Sequence, residues 1–189
     1  MPLIPVFKIG IWNAWIFTAV YLLPTLLIVF INKDVYKKLG NPPDMKLNKR
    51  EKILNIIFEP LTYLSFIYTI FLPLKLNTPW FYVGLFIFIL GLSILTIATI
   101  NFLTTPLHLP FTKGMYRYSR HPGYLASSII FFGTGIATAS WIIILISILF
   151  LVLTNIYVVA EERFCIKKYG NYYLEYLEKT PKWLGVPKP

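Results

Sequence analysis

The sequence predicts an all-α integral membrane protein with five transmembrane helices, the last two forming a helical hairpin, and a cytoplasmic amphipathic helix near the C-terminus. Three observations lead to this prediction. Hydrophobic residues make up 57% of the 189 residues and charged residues only 14%, whereas about a quarter of a soluble domain is charged. The apolar residues form runs near the ~20 residues that span a bilayer as a helix. The basic residues lie mostly between those runs.

The apolar runs define the helices in order along the chain. Because no soluble domain, repeat or low-complexity segment separates them, residues 1–189 are interpreted as a single membrane domain. Residues 1–100 contain mainly the first three helices, and residues 101–189 contain most of the polar motifs. The five runs cover roughly residues 12–31, 53–74, 80–101, 123–139 and 141–160.

The fourth and fifth runs are close neighbours in the chain. Gly133 and Gly135, followed by the residues at 139–141, indicate a tight turn between two antiparallel helices. Residues 123–160 are therefore predicted to form a helical hairpin.

The formal charge of +10 has to be interpreted from where the charges lie. Of the 18 Lys and Arg residues, seven lie in 33–52, three in 113–120 and six after residue 162, leaving only Lys8 and Lys75. This is the positive-inside pattern, which places the N-terminus outside and the C-terminus in the cytoplasm. Anionic membrane lipids are the expected counter-ions, rather than nucleic acid.

Few residues of this chain are suited to bind a metal or form a disulfide. Cys165 is the single cysteine, and His108 and His121 are the only histidines. Their spacing matches no metal-binding motif, so we expect no protein-held metal and no disulfide framework.

The last helix is predicted to extend beyond the bilayer. Apolar periodicity continues to Gly170, which follows two lysines and forms a typical helix stop. Asn171 can cap a short amphipathic helix, "YYLEYLEK", with Glu175 and Lys179 spaced for an ion pair. Its Tyr and Leu face suits the membrane surface or the protein itself. The Pro-rich segment that follows is predicted to be extended.

One polar stretch, "GMYRYSRHPGY" at 114–124, lies between two long apolar runs. Pro122 suits the first turn of a helix, where unpaired N–H groups favour an anion such as a carboxylate. His121 and Tyr124 can donate hydrogen bonds to the same place. The alternative is that these side chains only anchor the chain at the lipid head groups.

Two adjacent acids, Glu161 and Glu162, lie near the cytoplasmic end of the last run. The helical positions where a cation would pair with them, 164–166, hold Phe, Cys and Ile. Their partner is therefore Arg117 or Arg120 from across the hairpin, or a cationic ligand. The alternative is that both are solvated surface charges.

Three other polar residues remain open. Asn101 lies at the end of the third run and can cap or snorkel, and His108 follows in the loop. Glu59 is the one acid within a run, where it either lines a cavity or snorkels to the interface.

Taken together, "GMYRYSRHPGY", a hairpin, "EE" and "YGNYYLEYLEKTP" resemble the isoprenylcysteine carboxyl methyltransferase family of integral membrane enzymes, including its prokaryotic members, to which phospholipid methyltransferases are related. The resemblance covers residues 101–184. It implies binding of S-adenosylmethionine, with S-adenosylhomocysteine as product, and a lipophilic or lipidated methyl acceptor. Arg120 and Glu162 are implied as catalytic residues. The implied cofactor contacts are Asn101, His108, Leu109, Pro110, Phe111, Tyr116, His121, Pro122, Gly123, Tyr124 and Glu161.

The chain departs from the family pattern in three places. Ala126 stands where such enzymes usually have Gly, and Lys182 follows Pro181 where Arg is usual. Tyr157 stands where the eukaryotic enzymes carry an arginine for the substrate carboxylate. The acceptor therefore stays open between a prenylcysteine-like carboxylate, a phospholipid amine and other apolar molecules, and the sequence does not specify the oligomeric state.

Two other functions remain as alternatives. The "RHPGY" and "EERFCIKKYG" segments also resemble membrane sterol reductases, which use NADPH but are considerably longer. A non-enzymatic membrane protein with interfacial anchors is the other alternative, although transporters usually place ionisable residues near the midplane.

Overall fold

The computed structural model describes residues 7–31, 46–106 and 108–188. Within these residues the secondary structure is helical and no β-strand forms. The prediction of an all-α protein is therefore confirmed for the described part of the chain. Its elements are α1 (Trp15–Ile31), α2 (Lys49–Thr69), α3 (Pro79–Thr104), a 3₁₀ helix (Gly114–Arg117), α4 (Pro122–Ala137), α5 (Trp141–Tyr169) and α6 (Asn171–Lys179).

Among the described residues, two helices are long and apolar enough to cross a membrane. α3 has 26 residues and α5 has 29, which satisfies the length that a bilayer requires, and an 18-residue stretch within each has a mean hydropathy of 2.6 and 2.8, respectively. The apolar stretches Trp15–Pro24 and Pro122–Ala137 are shorter. These helices indicate association with a membrane, and the crossing by all five predicted helices stays a prediction.

Consecutive helices from α1 to α5 run antiparallel, so their ends meet in two places. At one place, named here the distal end, Ala14 N donates to Leu72 O at 2.8 Å and Lys75 N donates to Ala137 O at 2.9 Å. These bonds join the start of α1, the α2–α3 loop and the end of α4. Lys8 and Lys75 belong to this end.

The opposite place, named here the polar end, holds residues 46–51, 101–106, 108–121 and 161–185. Met115 N donates to Asn101 Oδ1 at 2.8 Å, and Arg163 pairs with Glu51 at 2.8 Å. The three described segments that carry most of the basic residues therefore lie together.

α3 and α4 pack closely because glycines line their contact. A Cβ atom on Gly84 would lie 2.3 Å from Ala137 N, and one on Gly133 would lie 2.6 Å from Phe88 N. Real Cβ atoms do not approach backbone so closely, so these positions require glycine. Small residues commonly allow such close approach of helices in membranes.

The helical hairpin is confirmed, but the predicted role of its glycines is wrong. Gly133 and Gly135 lie inside α4 rather than in the turn. The turn follows at residues 138–140, where Ala139 has a positive φ of 53° and Ser140 Oγ accepts the N–H of Ile143 to cap α5. The glycines serve helix packing, and Ala139 takes the left-handed conformation that glycine usually takes.

The second helix begins and ends earlier than its apolar run. Asn48 and Glu51 form a capping box that starts α2 at Lys49, so residues 49–52, which precede the second apolar run, are helical. Residues 32–45, between the first two runs, lie outside the described residues. The apolar residues 70–74 form a loop instead of helix, and Leu72 is fully buried there.

The end of α5 follows the prediction. The helix continues to Tyr169 and stops at Gly170, whose φ of 58° is left-handed. Asn171 is the first residue of α6 rather than its cap. Tyr173 and Tyr176 of α6 are buried, so this helix packs its aromatic face on the protein.

Candidate active site

The loop before α4 places a histidine at the start of that helix. Ser119 is fully buried, and its Oγ accepts the N–H of His121 at 3.2 Å. Pro122 is the first residue of α4, and no side chain caps this terminus. A Cβ on Gly123 would have no neighbour within 4 Å. The first turn of α4 therefore presents unpaired N–H groups beside open space, an arrangement that favours an anion.

The carboxylates of Glu161 and Glu162 face this turn from α5. His121 Nε2 lies 2.9 Å from Glu162 Oε1, and His121 Nδ1 lies 3.6 Å from Glu161 Oε2. The Tyr124 hydroxyl donates to Glu161 Oε1 at 2.5 Å. Both acids therefore have partners across the hairpin, but for Glu161 these are His121 and Tyr124 rather than one of the predicted arginines.

Arg120 is the arginine that reaches the acidic pair. Its Nε lies 3.2 Å from Glu162 Oε1, close enough for an ion pair, although the N–H does not point at that oxygen. Its Nη1 donates to Leu177 O at 3.3 Å. Arg117, the other candidate partner, ends the 3₁₀ helix with an exposed side chain.

The electrostatics of His121 are set by burial and by the two acids. Burial lowers the pKa of His121, but hydrogen bonds and charges from Glu161 and Glu162 more than offset it, so the pKa is raised above 6.5. The ring therefore keeps its proton to a higher pH than a free histidine does, and in the protonated form both nitrogens donate. A protonated His121 can hold both carboxylates at once.

Asn101 joins the end of α3 to this site. Its side-chain oxygen accepts the N–H of Met115 at 2.8 Å, next to Gly114, whose φ is 61°. A Cβ on Gly114 would lie 1.7 Å from Asn101 Oδ1. Glycine is therefore required for this contact, and Asn101 positions the loop that leads to His121.

An aromatic surface lies beside the polar groups. Phe111 stacks on Phe102 with ring centroids 4.4 Å apart and lies 5.7 Å from the ring of Tyr116. Burial, and then the charge of Glu161, raise the pKa of Tyr116, so its hydroxyl stays neutral. Flat aromatic faces of this kind can stack with a planar ligand.

The structure does not bring every predicted residue into this cluster. His108 and Leu109 lie in the loop after α3 with exposed side chains, whereas Pro110 is buried and leads into Phe111. The first two therefore have no contact here that supports the role the resemblance implies.

The C-terminal segment contributes contacts that sequence reasoning missed. Tyr176 donates to Tyr116 O at 2.6 Å, Arg120 N donates to Pro181 O at 3.0 Å, and Ser119 Oγ lies 3.4 Å from Lys182 O. The segment holds the loop before α4 mainly through backbone carbonyls, which any residue supplies. The one sequence feature that indicated contacts by this segment was the Tyr and Leu face of the helix at 171–179, which suits packing on the protein.

Comparison with known proteins identifies a family for this region. The family model described as phospholipid methyltransferase matches residues 81–172, from the start of α3 to the start of α6. This is a family of membrane methyltransferases related to the isoprenylcysteine carboxyl methyltransferases, so the resemblance predicted from the sequence is confirmed. The match supports an enzyme and gives no support to the sterol-reductase alternative. A search of curated proteins gave no match.

Proposed function

We propose that this protein transfers a methyl group from S-adenosylmethionine to a lipophilic acceptor, at the cytoplasmic side of a membrane. One observation carries the proposal. Within the segment matched by the methyltransferase family, Glu161 and Glu162 are held by His121 and Tyr124 against the uncapped start of α4. Groups for an anion and for a cation therefore lie side by side.

The residues at the polar end fit this cofactor. When bound, S-adenosylmethionine supplies an electrophilic methyl group on a sulfonium, together with a carboxylate and an ammonium. The N–H groups beside Gly123 suit the carboxylate, and Glu161, whose side chain is 30% exposed, suits a positive group. Phe111 and Tyr116 offer aromatic faces for a planar ring. Asn101 supports the site by holding the loop.

Arg120 and Glu162 are assigned to the reacting end of the site. Attack by a carboxylate or a neutral amine on a sulfonium methyl neutralises or disperses charge, so a water-poor site favours the reaction. The side chains of Arg120 and Glu162 are only 14% and 15% exposed. Arg120 holds Glu162 in place, and Glu162 can accept a proton that the acceptor releases.

The first experiment is a calorimetric titration of the detergent-purified protein with S-adenosylhomocysteine, and with NADPH in parallel. We expect binding of S-adenosylhomocysteine alone. Binding of NADPH alone would contradict the proposal and favour a reductase, and binding of neither would favour a non-enzymatic role.

Two variants test the assignment of residues to the cofactor. Glu161→Gln and His121→Ala each remove a charged hydrogen-bonding group, which is worth roughly 10- to 100-fold in affinity. We expect such losses in the titration, while Glu175→Gln, an exposed acid on α6, binds normally. Normal binding by both site variants would show that the cofactor binds elsewhere.

A further inference from the structure

A second ion pair lies at the polar end, outside the proposed cofactor contacts. Arg163 donates from Nη2 to Glu51 Oε2 at 2.8 Å and from Nη1 to Glu51 Oε1 at 3.2 Å, so the pair is bidentate. Glu51 is 3% exposed and also accepts the N–H of Asn48 at 2.7 Å. Arg163 Nη2 donates further to Lys46 O at 3.0 Å. Such a fork fixes the geometry of both partners.

The position of this pair connects α2 to the site. Glu51 lies in the first turn of α2, and Arg163 directly follows Glu162 on α5. The pair therefore ties the start of α2 to the part of α5 that carries both acids. Neither residue contacts His121 or Tyr124 in the hydrogen bonds and ion pairs of the described residues.

Further along the same two helices lies an aromatic seam, defined here as Phe58 of α2 with Phe150 and Tyr157 of α5. The ring of Phe58 lies 4.5 Å from Phe150 and 6.5 Å from Tyr157, nearly parallel to it. Tyr157 in turn lies 6.2 Å from Tyr124, which donates to Glu161. The seam thus runs from the apolar part of the helices to the acidic pair.

We propose that Glu51 and Arg163 are a positioning pair: they hold α2 against α5 so that the aromatic seam forms the acceptor-side wall of the site. The inference rests on the proposed methyl transfer for its functional meaning. The cofactor side is held separately, because Glu161 and Glu162 are fixed by α4. Loss of the pair should therefore loosen the seam and leave cofactor binding intact.

The test uses variants that remove the pair in different ways. In Glu51→Gln the amide oxygen can still accept the N–H of Asn48, as capping boxes allow, but the charge is lost. Arg163→Lys keeps the charge and loses the fork. Glu175→Gln is the matched control, because it makes the same substitution at an exposed position on α6.

Spin labels measure the spacing of α2 and α5 beside the pair. They are placed at the exposed positions Lys52 and Lys167, next to the pair on each helix, in a Cys165→Ser background. We expect a narrow distance distribution in the protein with the pair intact and in the control. The distribution should broaden in Glu51→Gln and broaden less in Arg163→Lys.

Binding and turnover then separate positioning from a general loss of structure. S-Adenosylhomocysteine affinity in Glu51→Gln should stay within about threefold of that of the unmutated protein, which is ~0.7 kcal/mol. Methyl transfer is measured with labelled S-adenosylmethionine on phosphatidylethanolamine vesicles and on a farnesylated cysteine. KM for the methylated acceptor should rise by about fivefold, with a smaller change in kcat.

Two results would overturn the inference: a distance distribution unchanged in Glu51→Gln, or a loss of S-adenosylhomocysteine affinity that follows the broadening. The second would show that the pair positions the cofactor side instead. Failure of the unmutated protein to bind S-adenosylhomocysteine would contradict the proposed function, and the spin-label distances would still decide whether the pair holds α2 against α5.

Discussion

At the scale of single residues, His121 is the group whose protonation ties α4 to α5. Its pKa is raised above 6.5 by Glu161 and Glu162, against the effect of burial. A group whose pKa is higher in the folded than in the unfolded state stabilises the fold fully below the unfolded value. That stabilisation is lost as the pH rises through the folded-state pKa.

This sign leads to a prediction for thermal stability. As the pH rises from about 6.5 through the raised pKa of His121, the apparent melting temperature of the purified protein should fall relative to that of His121→Gln, which cannot titrate. Fluorescence-monitored melting in detergent measures both proteins. If the melting temperatures of the two proteins change in parallel over this range, the pKa of His121 is not raised by folding, and this prediction is wrong.

Two glycines with a positive φ allow a second test at this scale. Gly114 and Gly170 have φ values of 61° and 58°, so alanine at either costs ~1–3 kcal/mol of backbone strain. Only at Gly114 does the added Cβ also collide with a side chain, that of Asn101. Gly114→Ala should therefore destabilise more and weaken S-adenosylhomocysteine binding, whereas Gly170→Ala should cost strain alone. Equal effects of the two variants on binding would show that the Asn101 contact does not position the loop.

At the scale of elements, the contact of α3 with α4 depends on glycine. Gly133→Ala places a methyl 2.6 Å from Phe88 N and 2.8 Å from Gly84 O, and backbone atoms cannot move aside as a flexible side chain can. We expect α3 and α4 to separate and the melting temperature to fall by several degrees, as overpacking costs ~1–3 kcal/mol. Phe132→Leu is the control, because Phe132 is a neighbouring exposed residue, and this variant should change the melting temperature little. A melting temperature of Gly133→Ala equal to that of Phe132→Leu would contradict this packing.

The elements also show which features the sequence could predict. Hydropathy and helix periodicity depend on residues that are close together in the sequence, so the helices, the hairpin and the helix stop at Gly170 could be predicted from the sequence. The lack of cations at 164–166 correctly predicted that Glu161 and Glu162 pair across the hairpin. It could not choose Arg120 over Arg117, because that choice depends on the 3₁₀ helix, which leaves Arg117 exposed.

Features that depend on partners distant in sequence could not be predicted. A glycine pair such as Gly133 and Gly135 can form a turn or a close helix contact, and the sequence alone does not distinguish the two. The close approach of α3 to Gly133 and of α5 to Gly135 makes them helix contacts here. The C-terminal segment binds the loop through the carbonyls of Leu177, Pro181 and Lys182. Backbone acceptors leave no pattern in side-chain identity, so this part of the site had no clear signal.

At the scale of the whole molecule, the antiparallel order of α1 to α5 supports the predicted topology. If each of these helices crosses the membrane, the distal end with Lys8 lies outside and the polar end with Lys113 and Lys179 lies in the cytoplasm. α3 and α5 meet the length and hydropathy required for crossing. Crossing by α1, α2 and α4 stays a prediction, which their antiparallel contacts with these two helices favour.

Single cysteines introduced in a Cys165→Ser background test this topology. Lys8→Cys, Lys113→Cys and Lys179→Cys each replace an exposed lysine and are treated with a membrane-impermeant maleimide in sealed right-side-out vesicles. Only Lys8→Cys should react before the vesicles are opened, and all three should react afterwards. Labelling of Lys113→Cys in sealed vesicles would place the proposed methyl-transfer site outside and remove its access to cytoplasmic S-adenosylmethionine. Protection of all three until the vesicles are opened would mean that an even number of helices separates Lys8 from the polar end, against the five predicted spans.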